Sequence, residues 1–144
     1  MKENLYFEDV EIGDDIGPIK KSVTDKDVIE FVSIREKEIT PSRFTSKEIA
    51  NNEGMPEAIV PGPMNIALMS QILTDWSDTV CLLKIDVVFR QTVPHNQDLT
   101  FSGIVTDKDE TGNSTKLECD VVMENSDGVK LVIGTGVIAL PNKP

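Results

Sequence analysis

Side chains able to do chemistry are scarce in this sequence. It has one histidine, His95, and two cysteines, Cys81 and Cys119. The cysteines lack CxxC spacing and no histidine stands near either, so no metal site is expected. Both lie in apolar, strand-like runs and read as buried core thiols rather than as a disulfide. His95, within Val93-Pro94-His95-Asn96-Gln97-Asp98, reads as a surface turn residue between strands. The backbone offers a further group. Pro61-Gly62-Pro63 opens a helical run, and Pro63 suits the first turn, where its missing N–H costs nothing. Gly62 N–H is then an orphan donor at the positive end of a helix dipole. An equal alternative is that Gly62 only makes the turn between two prolines. Asn65, one turn further in, is either a hydrogen-bonding group or simply a polar residue near a helix start.

These groups need elements to position them. Ile16 to Val23 reads as a short strand. Thr24-Asp25-Lys26-Asp27 resembles a capping box, and Val28, Ile29, Phe31 and Val32 form an apolar face, which predicts a helix over 25–34. Residues 35–60 are polar and irregular, with a short helix capped by Thr45 or Ser46, running through Asn52 and ended by Gly54. The run Met64 to Leu73 is apolar on almost every side, which predicts a helix buried all round. Strands follow at Leu82–Phe89, from Leu99 through Val105, from Leu117 through Met123, and at Leu131–Leu140. In the third of these, Leu117, Cys119, Val121 and Met123 alternate with polar residues. Turns at 109–113 and 125–128 carry hairpin chemistry, so the strands are expected to form an antiparallel meander. One apolar helix against such a sheet is an α+β arrangement, and the 144 residues suit one domain spanning 1–144.

Several segments, in order along the chain, resemble the MaoC-like acyl dehydratases and (R)-specific enoyl-CoA hydratases. Tyr6-Phe7-Glu8-Asp9-Val10-Glu11-Ile12-Gly13-Asp14 is similar to their "YFEDLxVGD" opening. Gly54-Met55-Pro56-Glu57-Ala58-Ile59-Val60-Pro61-Gly62 is similar to the "G(F/Y)xxxIxPG" before their central helix. Leu73-Thr74-Asp75-Trp76 resembles that helix's end. Asp86-Val87-Val88-Phe89-Arg90-Gln91-Thr92-Val93 resembles "VRFRxPV", and Asp98-Leu99-Thr100 the "GDxLT" that follows. The resemblance implies a hot-dog fold, a sheet wrapped around a central helix.

It also implies chemistry on acyl thioesters, usually of coenzyme A, by adding or removing water. That chemistry needs a base, an acid, and a donor for the developing enolate oxygen. The family supplies an Asp/His pair from "DxNPxH" and a backbone N–H at the start of the central helix. Here Gly62 matches the donor, but the pair has no match. Anchoring on Thr40-Pro41 puts Glu38 at the aspartate position and Arg43 at the histidine position. Anchoring on Ala50 puts Phe44 at the latter. Arginine stays protonated and phenylalanine transfers no proton. Glu38 is left as a lone base, or as the partner of Arg43 in an ion pair, with Glu36 and Glu48 nearby reading as solvated. The resemblance makes Glu38, Gly62 and Asn65 the residues nearest to chemistry, Asn65 facing a thioester or a water. Arg43, Phe44, Pro61, Met64 and Arg90 become substrate contacts. Arg90 or Lys84 would meet coenzyme A phosphates, or else both are exposed strand charges.

Charge narrows the partners. A formal charge of −11 argues against nucleic acid, which needs a positive face. It does not exclude one anionic small ligand bound at a helix N-terminus. No apolar run approaches the length of a membrane span, and no apolar leader segment opens the chain, so the cytoplasm is the expected compartment. No cofactor is expected beyond coenzyme A as part of the substrate. Three readings stand open: a degenerate subunit whose Asp/His pair comes from a complete MaoC-like partner chain, a stand-alone hydro-lyase or thioesterase using Glu38, and a non-catalytic module binding acyl thioesters. The first is placed ahead. A homodimer or hetero-oligomer is the expected assembly.

Overall fold

The computed structural model describes residues 3–144; Met1 and Lys2, the start of the segment read for a leader, lie outside them. A 3-10 turn, Phe7–Asp9, leads into strand β1 (Asp15–Ser22). Helices α1 (Asp25–Ser33), α2 (Lys47–Asn52) and α3 (Gly62–Thr74) follow. Strands β2 (Cys81–Phe89), β3 (Asp98–Lys108), β4 (Lys116–Glu124) and β5 (Lys130–Ala139) complete the chain.

Local chemistry accounts for these starts. Thr24 Oγ1 accepts from Asp27 N–H at 3.1 Å while the Asp27 carboxylate accepts from Thr24 N–H at 3.0 Å, a reciprocal cap on α1. Of the two candidate caps for α2, Ser46 does the work, accepting from Ile49 N–H at 3.3 Å. Gly112 and Gly128, at φ +56 and +75, make the β3–β4 and β4–β5 turns.

The strands form one antiparallel sheet in the order β1-β3-β4-β5-β2. Only β3, β4 and β5 are a meander, which corrects the expectation of four. β1 occupies the free side of β3, pairing Ser22 with Asp98, so β2 goes to β5 at the other edge. Residues 90–97 carry the chain across, tied to the stretch before α3 by a bridge between Ile59 and Pro94.

Helix α3 touches all five strands. Met69, Ile72 and Leu73 sink into a core with Leu117, Cys119, Val121 and Met123, the alternating set of β4. Glycines let the sheet close on the helix. A Cβ on Gly136 would collide with Leu73 Cδ1, and one on Gly134 would stand 2.5 Å from the Asp86 carbonyl oxygen.

Three expectations about burial fail. Helix α3 is not buried all round: Asn65, Met69, Ile72 and Leu73 are buried, but Pro63, Ile66 and Ala67 are exposed, Ile66 at 38%. One sheet covers one side of a helix, and no other described element covers the opposite side. Cys81, the first residue of edge strand β2, is exposed rather than buried. His95 is buried, at 3% exposure, not a surface turn residue. Among the described residues no helix is long and apolar enough to cross a membrane.

Candidate active site

The N-terminus of α3 opens into a cavity of about 400 Å3. Its walls are the 43–44 turn, the Ile59–Val60 lead-in, and the stretch from Phe89 to Val93 that leaves β2. Gly62 and Asn65 line it too. Gly62 N–H has no hydrogen-bond partner among the described residues. It therefore keeps its donor free at the dipole's positive end, as expected for an anion or carbonyl site.

Asn65 is 4% exposed. Its Nδ2 donates to the Val60 carbonyl at 3.4 Å, and its Oδ1 has no partner. Because the Val60 oxygen can only accept, the amide is oriented with Nδ2 toward it, which leaves Oδ1 buried and unpartnered among the described residues.

The expected residues divide. Arg43, Phe44, Gly62, Asn65 and Arg90 come together on the cavity. Glu38 is exposed in the loop after α1 and does not line it. Arg43 does not pair with Glu38: its Nε meets Glu53 Oε2 at 3.1 Å, so the expected Glu38–Arg43 pair is replaced. The cause is local, since Glu53 caps the C-terminus of α2 within reach of Arg43. Pro61 is buried as the N-cap of α3 rather than lining the cavity. Met64 faces a different cavity, with Lys21, Phe31 and Leu68, because it lies on another side of α3 from Gly62. Lys84 pairs with Asp86 at 3.3 Å and does not line the site. Arg90 has no ion-pair partner among the described residues, so it is the available cation at this cavity.

Phe89, Gln91 and Thr92 were not singled out beforehand, though they lie within the Asp86–Val93 run whose family resemblance was noted. The signal was positional: any residue where β2 leaves the sheet beside a helix N-terminus must face that opening.

His95 stands behind the site. Its Nδ1 is 2.8 Å from Asp25 Oδ1 and its Nε2 is 3.0 Å from the Ile59 carbonyl oxygen. Each ring nitrogen therefore faces an oxygen that only accepts. Asn96, at φ 60, adds a bond from Nδ2 to the same carboxylate at 3.0 Å. The ring thus ties the start of α1 to the lead-in of α3 and does not reach the cavity. Cys119 is also outside it, and burial, with Asp120 and Glu118 beside it, pushes its thiol up to about 11. That leaves it protonated and unfit as a nucleophile.

The architecture has clear relatives among solved structures. The R-hydratase PhaJ1 from Pseudomonas aeruginosa superposes with a TM-score of 0.83 at 19% identity, covering 97% of this chain and 88% of that one. The (R)-hydratase from A. caviae involved in PHA biosynthesis gives 0.80 at 19%, covering 92% and 98%. This is the hot-dog fold. The ChsH1-ChsH2 complex from Mycobacterium tuberculosis contains a hot-dog chain that matches at 0.76 and 18% identity, covering 90% and 98%. No protein-family model matches the sequence, and no curated protein does. MaoC-like dehydratases are also among the structures that share the hot-dog fold with this chain.

Proposed function

We propose that the chain is a MaoC-like protein that binds acyl-CoA thioesters, with the thioester oxygen on Gly62 N–H, and that it serves as a subunit whose Asp/His pair comes from a partner chain. One observation carries this reading. The cavity at the start of α3 holds a free backbone donor, yet no carboxylate and no imidazole among its lining residues. A donor alone binds and polarises a thioester carbonyl. Moving protons for hydration requires an acid and a base as well. Arg90 supports the coenzyme A assignment, as an unpaired cation where the cavity meets solvent.

Stand-alone chemistry through Glu38 has little support, because Glu38 lies outside the cavity. A non-catalytic binding module shares the carrying observation, so a partner is what separates the two. The fold neighbour ChsH1-ChsH2 is a complex of two named chains, which supports the hetero-oligomer. Edge strands β1 and β2 also leave sheet pairing open at both sides.

The test is an assay of enoyl-CoA hydration with and without a complete MaoC-like chain co-expressed. The expected result is no turnover alone, and a stable hetero-oligomer that hydrates crotonyl-CoA. Ordinary turnover by the isolated chain overturns the subunit reading. Thioester binding without turnover in either setting leaves the binding module.

A further inference from the structure

The outer face of the sheet, turned away from α3, carries an open groove of about 840 Å3 that shares no residue with the cavity at Gly62. Strand register sets its side chains in two cross-strand rows. One runs Asp15–Ile104–Asp120–Thr135–Asp86 over all five strands. The other, two residues along, runs Ser102–Val122–Ile133–Val88 over four of them. In the first row a carboxylate recurs on every second strand. Strands lie about 4.8 Å apart, so Asp15, Asp120 and Asp86 follow one another at about 10 Å. The second row is an apolar stripe after Ser102, with Val88 53% exposed. Lys84 pairs with Asp86 at 3.3 Å and Lys130 also lines the groove, but Asp15 and Asp120 meet no cation among the described residues.

This pattern selects its occupant. Three acids in line call for cations, which excludes nucleic acid and anionic lipid surfaces. A spacing of about 10 Å is two turns of α-helix, since residues seven apart rise about 10.5 Å. An extended strand does not match it, because its same-face residues recur at about 6.8 Å and about 13.6 Å. On a helix, the positions four after each cation form a neighbouring line, which falls beside the first as the apolar stripe falls beside the acids. A second copy of this chain lacks such a helix, because none of α1, α2 and α3 carries more than one basic residue. We propose that the outer face of the sheet is a docking surface for a basic amphipathic helix of a different protein, laid across the strands. Its cations at i, i+7 and i+14 meet Asp15, Asp120 and Asp86, and its apolar side chains at i+4 and i+11 cover Val122, Ile133 and Val88. This surface is independent of thioester binding.

Calorimetry of the full chain with two synthetic 15-residue peptides tests the proposal. The matched peptide has arginine at positions 1, 8 and 15, leucine at 5 and 12, and alanine elsewhere to favour helix. The scrambled peptide has the same composition, with its arginines at 3, 8 and 13, which puts them on different sides of a helix. The expected result is about tenfold tighter binding of the matched peptide, the worth of a few exposed ion pairs. Asp120→Lys should erase that advantage. Glu110→Lys, the same change of charge at an exposed turn residue outside the groove, should keep it. Equal binding of the two peptides overturns the proposal, since overall acidity then suffices. An equal loss in both variants overturns it too, as does no binding at all. Should Asp120→Lys fail to fold, Asp15→Lys puts the same question at the end of the row.

Discussion

At Gly62 a Cβ would stand 3.5 Å from Phe89 Cζ, an ordinary van der Waals distance, and the backbone is not in the left-handed region. Nothing in the fold therefore demands glycine there. Gly62→Ala should leave stability within about 1 kcal/mol, since alanine is the better helix former. The added methyl would narrow the cavity that Gly62 and Phe89 both line, so acyl-CoA affinity should drop about tenfold through crowding of the bound thioester. Chemical denaturation and calorimetry on one variant check both halves; unchanged affinity would mean that no ligand packs against this part of the cavity. A second residue-level prediction concerns Asp25. The hydrogen bond from His95, and next that from Asn96, hold its carboxyl below the usual carboxylate range. A carboxyl lowered in the folded state stabilises above its unfolded value, about 3.9, and that stability is lost as pH falls through the folded one. Asp25→Asn should thus weaken the protein more at about pH 5 than at about pH 3. The Asp25 side chain is 75% exposed, so the difference is small, and equal losses at both pH values in urea denaturation would contradict it.

Among the elements, what was legible followed from local rules. The Thr24 cap, the alternation of β4 and the glycine turns each depend on neighbours in sequence, and each stands where the residues placed it. What was not legible depended on distant partners. The pairing of β2 with β5 is decided by β1 having taken the side of β3, which no local pattern encodes. At the candidate site, the position of Gly62 and Asn65 in the first turns of α3 was readable from the Pro-Gly-Pro helix start. The burial of His95 was not, because both its partners, Asp25 and Ile59, are far along the chain. The sheet's closure on α3 makes its own prediction. A Cβ on Gly134 meets backbone, not a flexible side chain, so β2 must move to admit it. Gly134→Ala should cost about 1–3 kcal/mol, the range for overpacking. Thermal and urea unfolding measure it, and a neutral substitution would show that the strands yield at that point.

At the scale of the whole molecule, two facts pull in different directions. Apolar side chains stay exposed along edge strand β2 and the uncovered face of α3: Leu83 at 48%, Val88 at 53%, Phe89 at 49% and Ile66 at 38%. An open edge bearing such residues favours pairing with another chain. Yet the chain carries −11, and a second copy brings the same charge to the same contact. Self-association should therefore be weak at low salt and strengthen as salt screens the repulsion, the Debye length shortening from about 30 Å at 0.01 M to about 10 Å at 0.1 M. A less acidic partner escapes this limit and should pair well at low salt. Sedimentation of the chain alone and mixed with a complete MaoC-like chain, at both salt levels, separates the cases. Leu83→Asp, which puts a charge on the edge strand away from the Gly62 cavity, should shift the assembly toward monomer while leaving acyl-CoA affinity unchanged. A chain that stays monomeric in every mixture would remove the partner from the proposed function and leave an isolated binding module.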